Sequence, residues 1–150
     1  MKLSKKWFFA LAEGENGRTV FVNGRVDIAE HRGSGKYPVR VDIFWKYDED
    51  AEGLPSAEES KSIEAWGDAV RRAMEKNKLA ICVLKATGDG EASWSYYTRN
   101  IEAFQKTLNE STTDFPTFPI RCHAERDPEW EAYDEVLTLE SKAIDKREDE

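Results

Sequence analysis

The stretch Val39–Tyr47, VRVDIFWKY, constrains the fold most because apolar and polar side chains alternate along it. Every second residue is apolar, and Arg40, Asp42 and Lys46 fall between them, with Phe44 as the one exception. Successive side chains of a β-strand point to opposite faces, so this period predicts a strand with one buried and one solvated face. The chain therefore needs an antiparallel sheet with a packed layer on at least one side.

Three segments show the spacing of amphipathic helices. The first, Ser56–Lys78, opens with the S-x-x-E capping box of Ser56 and Glu59, and its apolar residues then recur every three or four positions. The second, Asn100–Glu110, begins with an asparagine cap. The third, Asp127–Lys146, begins with an aspartate cap followed by a proline, which suits the first helical turn.

Five further strand patterns are Trp7–Glu13, Arg18–Asn23, Leu79–Thr87, Glu91–Thr98 and Phe115–His123. The resulting order is β-β-β-α-β-β-α-β-α. Its centre, β-α-β-β-α-β, is the ferredoxin-like arrangement. We therefore predict an α+β fold: a ferredoxin-like antiparallel sheet with an added N-terminal β-hairpin and a C-terminal helix.

A chain of 150 residues is one domain by the usual size relation. We expect residues 1–138 to form this single domain, including the N-terminal hairpin and the docked C-terminal helix. Residues 139–150 are mostly charged, and we expect them to form a frayed tail.

The stretch Thr87–Asn100, TGDGEASWSYYTRN, has the glycine spacing of a phosphate-binding loop but not its context. Such a loop leads from a strand into a helix, whose N-terminal amides hold the phosphate. Here the glycines join two strand patterns, which predicts a hairpin turn. Sheet-face aromatics can also stack RNA bases, but the basic surround of that module is missing. We expect Trp94 and Tyr96 in the core and Tyr97 on the exposed face.

The net charge of −8 is concentrated in one segment. Asp127–Glu150 carries ten acidic and three basic residues, while the rest of the chain is nearly neutral. Nucleic-acid binding needs Lys and Arg to replace counterions on phosphates, so this balance argues against direct nucleic-acid contact. A negative segment attracts a protein partner with a basic surface, although many such runs serve only solubility.

The chain lacks an apolar run of 18 residues, so we expect no membrane contact. The short apolar stretch after the basic N-terminus is followed by acids and does not match a signal peptide. Cys82 and Cys122 each lie in an apolar strand pattern, where free cysteines pack as small hydrophobes. These features predict a cytoplasmic protein without a disulfide.

The sequence contains no recognisable catalytic or metal-binding pattern. Cys122 and His123 are adjacent and would point to opposite faces of a strand, so they do not form a dyad. Metal-ligand spacings are also missing, and we predict no metal, no cofactor and no catalytic residues. One alternative stays open: a small-molecule or hydrolytic site in a pocket between sheet and helices, with His31, Tyr97 and His123 as ligand-binding residues.

The C-terminal segment DPEWEAYDEVL places Trp130, Tyr133 and Leu137 on one helix face. Such a stripe usually docks a helix onto its own domain, which we favour, but it can also offer aromatic anchors to a partner. The candidate partner-binding residues are Trp130, Tyr133, Glu129, Glu131, Asp134 and Glu135.

Two segments resemble known families over residues 5–138. EGLPSAEE followed by LKATGDGEASWSYYT resembles domain of unknown function 695, which carries a G-x-P before its helix and a T-x-x-G before an aromatic strand. DPEWEAYDEVL is similar to the ending D-P-x-W-x-x-Y of proteins like regulator of ribonuclease activity B. The first family has no assigned activity. The second implies a ferredoxin-like fold and a namesake that binds the scaffold region of ribonuclease E, with Trp130 and Tyr133 as the matching positions.

The leading hypothesis is therefore a non-enzymatic, acidic protein-interaction domain, with regulation of RNA turnover through protein contact as the role that the resemblance implies. The alternative is the small-molecule or hydrolytic pocket. A third hypothesis is an accessory domain whose partner surface is the open edge of the sheet.

Overall fold

The structure is a computed structural model that describes residues 2–148. The strands are β1 (Lys6–Glu13), β2 (Thr19–Arg25), β3 (Val39–Lys46), β4 (Ala80–Gly88), β5 (Glu91–Thr98), β6 (Ile120–Arg126) and β7 (Asp145–Glu148). The helices are α1 (Ala29–Gly33), α2 (Ala57–Lys76), α3 (Ile101–Ser111) and α4 (Glu131–Thr138), and a 3₁₀ turn, Glu140–Lys142, precedes β7. All seven strands form one antiparallel sheet in the order β6-β3-β5-β4-β2-β1-β7.

The two longest helices begin where their caps predict. The Ser56 hydroxyl accepts a hydrogen bond from the Glu59 amide at 3.1 Å, and the Asn100 side chain accepts one from the Ala103 amide at 2.8 Å. Each bond satisfies one of the amides that the first helical turn leaves without a partner. Both caps are therefore confirmed, and they set where α2 and α3 meet the sheet.

One face of the sheet is covered by α2 and α3, which form the first layer with it. Its centre is aromatic: the Trp66 ring meets Trp45 edge-on at 5.7 Å and Trp94 at 5.2 Å. Gly67 allows this approach, because a Cβ atom there would lie 2.7 Å from Trp94 Nε1. Burial of each large side chain stabilises the fold by roughly 2–3 kcal/mol, so this layer dominates the core.

The opposite face is only partly covered, by α1 and α4, which form the second layer. Its buried members include Phe8, Ile81, Tyr97, Trp130 and Tyr133. On the same face, β6 and the neighbouring part of β3 are not enclosed, and the side chains of β6 beyond its first residue are exposed. This uneven cover leaves a groove along α4.

The expected mixture of helices with an antiparallel sheet is confirmed, but the sheet has seven strands and is larger than the predicted core. The N-terminal hairpin extends the sheet through the pairing of β2 with β4. The expected frayed tail of residues 139–150 contains, within its described part, the 3₁₀ turn and β7. β7 is held by backbone pairing with β1, and its side chains are charged and mostly exposed. Its sequence therefore lacks the alternation of apolar and polar residues by which a strand is recognised. None of the helices within residues 2–148 combines the length and the apolar character that a membrane span requires.

Candidate functional site

The corner between β6 and α4 is organised by Asp127. Its amide donates to the Pro38 carbonyl at 2.9 Å, and its carboxylate accepts from the amides of Glu131 and Ala132 at 2.8 and 3.1 Å. The Tyr97 hydroxyl donates to the same carboxylate at 2.7 Å. Burial opposes the charge of Asp127, but these hydrogen bonds outweigh it and hold its pKa below the ordinary value.

This corner makes the last helix shorter than the sequence predicts. The expected start at Pro128 is replaced by a turn, and α4 begins only at Glu131. Trp130 takes the left-handed conformation, with φ of 57°, which is rare for a side chain of this size. The turn rotates the indole under the helix, so tertiary packing has overridden the local helical pattern.

Trp130 and Tyr133 hold α4 on the sheet. The Trp130 ring stacks on Tyr97 with centroids 4.2 Å apart, and its indole N–H donates to the Tyr37 carbonyl at 2.8 Å. The Tyr133 hydroxyl donates to the Arg25 carbonyl. Both side chains are buried, with 1% and 3% of their surface exposed. Of the candidate partner-binding residues, these two therefore lie in the core of the chain's own second layer.

The acidic candidates lie on the exposed side of α4 and in the turn that precedes it. Glu129, Glu131, Asp134 and Glu135 are all exposed. Asp134 forms an ion pair with Arg32 at 2.8 Å, and this hydrogen bond holds the pKa of Asp134 below its ordinary value. The remaining three glutamates form an acidic rim along α4.

The α4 groove runs between this helix and the uncovered part of the sheet and has a volume of about 430 Å³. Its floor is formed by β3, β4 and β5, and its wall by α4 and the residue that follows it. The polar floor residues are Arg40, Asp42, Ser93, Ser95 and Tyr97. Volumes in this range suit a small molecule or a short peptide segment.

Arg40 is the charged centre of the floor. Its guanidinium lies 3.2 Å from Asp42, 2.9 Å from Glu125 and 3.9 Å from Asp127. The Ser95 hydroxyl donates to Asp42 at 2.8 Å and fixes that carboxylate from the other side. One cation therefore faces three carboxylates, of which only Asp42 lines the groove, so the surroundings of Arg40 carry an excess of negative charge.

The three residues of the predicted ligand pocket do not share one site. Tyr97 lines the groove at its buried end, and the expectation that it is exposed is wrong, because α4 covers it completely. His31 lies on the short helix α1, buried with its ring centroid 6.3 Å from that of Tyr37, and burial lowers its pKa. His123 is an exposed residue on β6, in register with Asp42.

At the other end of the sheet, Asp89 ties three loops together. It follows the first glycine of the predicted hairpin turn and has a positive φ of 54°. Its carboxylate accepts from the Asn16 amide at 3.1 Å and from Arg18 at 2.8 Å, while the Gly90 amide donates to the Gly53 carbonyl at 2.9 Å. The hairpin turn at Asp89, called the Asp89 junction below, therefore connects the β1–β2 turn and the loop at Gly53.

Sequence reasoning missed the buried ion pair of Arg25 and Glu75, at 2.6 Å. Arg25, which is 1% exposed, also donates to the carbonyls of Ser4 and Cys82, and Glu75 accepts from the Cys82 amide at 3.0 Å. The pair joins α2 to β2 and β4. Neither Arg25 nor Glu75 stands out from the other residues of its element in the sequence. Only their contact in the folded chain identifies the pair.

The arrangement of the metal-ligating side chains and the state of the two cysteines complete the description of the site. Among residues 2–148, no group of three or more His, Cys, Asp or Glu side chains could hold a metal ion. Cys82 and Cys122 are both free, and burial raises the pKa of the Cys82 thiol to about 12. Cys82 is therefore protonated and unreactive at neutral pH.

A comparison with protein families matches residues 5–138 to a family of unknown function, DUF695. This range includes the α4 groove except Leu139, the Asp89 junction and all elements except the 3₁₀ turn and β7. Neither the curated proteins nor the solved structures gave a match. Because the family model spans most of the chain, the chain belongs to DUF695.

Proposed function

We propose that this member of DUF695 is a non-enzymatic protein-interaction domain whose α4 groove and acidic rim bind a basic segment of a partner protein. The observation that carries this proposal is the charge around the groove. Glu131 and Glu135 stand four residues apart on the exposed side of α4, and Glu135 also lines the groove. Across the groove, Arg40 is outnumbered by carboxylates.

The rigid attachment of α4 supports the same role. A helix held by buried aromatic rings and by the Asp127 cap presents its acids in one arrangement, so binding orders little of the protein itself. The floor groups Arg40, Asp42 and Ser95 already bond to one another, which suits recognition better than acid–base chemistry. Attraction between these acids and a basic segment would be screened by salt.

The attachment also determines how the proposal is tested. Removing residues after Arg126 would expose the buried ring of Tyr97, so truncation would unfold the second layer. A triple variant, Glu129→Gln, Glu131→Gln and Glu135→Gln, removes the rim charges and keeps the packing. The matched control is Glu102→Gln, Glu110→Gln and Asp114→Asn, three exposed acids on or next to α3.

The probe is a fluorescent peptide of alternating lysine and serine, followed by polarisation at low and at physiological salt. The rim variant should bind it about tenfold more weakly, because three favourable ion pairs are lost, while the control should bind as the unmodified protein does. If both variants bind the peptide equally weakly, the peptide responds only to the net charge of the protein. That result would refute specific binding at the α4 groove.

Capture from a cell extract with the same two triple variants then identifies the natural partner. Regulation of RNA turnover, the role implied by the resemblance of Asp127–Leu137 to regulator of ribonuclease activity B, predicts a ribonuclease or a ribonuclease-associated protein retained by the control and lost by the rim variant. If a different protein is retained by the control and lost by the rim variant, the binding proposal is supported and the role in RNA turnover is refuted.

A second candidate function is small-molecule binding in the same groove, favoured by its volume and by the polar floor around Arg40. Ser93→Tyr fills this floor and leaves the rim acids in place. A ligand bound in the floor would lose affinity in Ser93→Tyr and depend little on salt. A basic peptide would instead lose affinity in the rim variant and as the salt concentration rises.

We also infer that the segment from β3 to β6 is a ferredoxin-like core to which β2, β1 and β7 are added on one side. The order β6-β3-β5-β4 and the position of α2 and α3 on the same face support this inference. A solved structure of another family member in which the four strands keep this order without β1, β2 and β7 would test it.

A further inference from the structure

One edge of the sheet, formed by β6, is open along its whole length. β6 pairs with β3 on one side and has no neighbour on the other among the described residues. After its first residue, every side chain of β6 is exposed, on both faces of the sheet. An open edge of this kind presents unpaired backbone groups to any other strand, and proteins usually protect it.

The backbone contact at the end of β6 shows which groups point outward. The Asp127 amide donates to the Pro38 carbonyl, so these two residues form a hydrogen-bonded pair that continues the β3–β6 register. Hydrogen-bonded pairs recur every second residue in an antiparallel ladder, which directs Glu125, His123 and Arg121 toward β3. The amides and carbonyls of the residues between them, including those of Cys122 and Ala124, therefore face away from the sheet.

The side chains of β6 are complementary to a reversed copy of the same strand. The stretch Arg121–Glu125 reads RCHAE, with a cation at one end and an anion at the other, both on the face away from α2. An antiparallel copy centred on His123 puts Arg121 opposite Glu125 of the second copy, twice by symmetry. The small side chains of Cys122 and Ala124 then face each other. Opposite charges placed directly across two strands stabilise their pairing.

We propose that two copies of this chain pair through β6, antiparallel about His123, and so join their sheets into one continuous sheet. The contact is isologous, since the same strand serves both partners, and it closes after two copies. The present ion pairs of Arg121 with Glu91 and of Glu125 with Arg40 do not oppose it. Their β6 side chains are 68% and 59% exposed, so each exchanges its partner at little cost.

The first test is the dissociation constant of the dimer, measured by sedimentation velocity over a range of concentrations. Arg121→Glu should weaken the dimer by about tenfold, because each attractive pair becomes a repulsive one. Glu125→Arg alone should do the same. The double variant Arg121→Glu with Glu125→Arg should restore the dimer, since the charges are complementary again in the reversed order. A monomer at every concentration, or a dimer that ignores these substitutions, would overturn the proposal.

The second test measures the register directly, because a disulfide forms only between residues that lie opposite each other in the two copies. In a Cys122→Ser background, His123→Cys places two thiols across a pair without hydrogen bonds, about 4.5 Å apart between Cα atoms, which permits a disulfide between copies. The control Arg121→Cys in the same background places its two thiols about 14 Å apart along the strands, too far to bridge. Mild oxidation should therefore cross-link the first variant and not the second. Equal cross-linking of both would exclude this register.

Discussion

The Trp130 ring lies parallel to the Tyr97 ring, with centroids 4.2 Å apart and planes 12° from parallel. This contact joins the segment after the last core strand to the middle of the sheet. Trp130→Ala should therefore lower the free energy of unfolding by about 3–5 kcal/mol, because it removes a fully buried indole and leaves a cavity. Urea unfolding measures the change. Ile101→Ala, at a residue 39% exposed, is the control and should change stability by well under half as much.

Asp127 should make stability depend on pH in the acid range. Its pKa is lowered in the folded state, so the unfolded chain takes up the proton first and protonation favours unfolding. The stabilisation is complete above the ordinary aspartate pKa of about 3.9 and is lost as the pH falls through the lower folded value.

Asp127→Asn should cost roughly 1–3 kcal/mol at neutral pH, since the hydrogen bonds to a charged acceptor are lost, and should flatten the loss of stability on acidification. Thermal unfolding across the acid range measures both effects. Asp114→Asn is the exposed control. An unchanged slope in Asp127→Asn would mean that other carboxylates account for the acid sensitivity.

The Arg25–Glu75 pair should show strong energetic coupling. Glu75→Gln leaves the Arg25 charge buried without a counter-ion and should cost about 3–5 kcal/mol. Arg25→Met combined with Glu75→Gln should cost less than the sum of the two single changes, because the second substitution removes a charge that has already lost its partner. A double-mutant cycle from urea unfolding gives the coupling, and Asp68→Asn, on the same helix and 47% exposed, is the neutral comparison.

Asp89 should control the mobility of the loops it joins. Asp89→Ala removes the acceptor for Asn16 and Arg18 and puts alanine at a positive φ, so we expect a lower free energy of unfolding. Amide hydrogen exchange should rise in the turn at Asn16 and in the loop at Gly53. Asp89→Asn keeps an acceptor and tolerates the backbone conformation, so its loss should be smaller. Similar losses in both variants would assign the effect to the negative charge.

Local patterns predicted the elements whose burial follows a regular period. The alternation of Val39–Tyr47 matches β3, and the caps at Ser56 and Asn100 match the starts of α2 and α3. In each case the buried side chains recur at the period of the element, so a periodic sequence carries the information. The coarse α+β fold and the family resemblance followed from the same segments.

The second face could not be predicted, because its cover changes along a single strand. Ser93, Ser95 and Tyr97 all point to this face from β5 and all line the groove, yet the two serines are partly exposed while Tyr97 is fully buried under Trp130. What decides their exposure is the position of Trp130, more than 30 residues away and rotated by a non-helical turn. A periodic pattern carries no information about a contact between residues so far apart in the sequence. The α4 groove depends on this contact and could therefore not be predicted.

The division of the tryptophans between the two layers gives the molecule an optical label for each face. Trp7, Trp45, Trp66 and Trp94 belong to the first layer, and Trp130 alone belongs to the second. Total emission on denaturation is therefore dominated by the side of α2 and α3, and a partial opening of α4 would pass almost unseen in it. The difference in emission between the protein and its Trp130→Phe variant isolates the fluorescence of Trp130. This difference therefore reports the release of α4 from the sheet, even where the release precedes global unfolding.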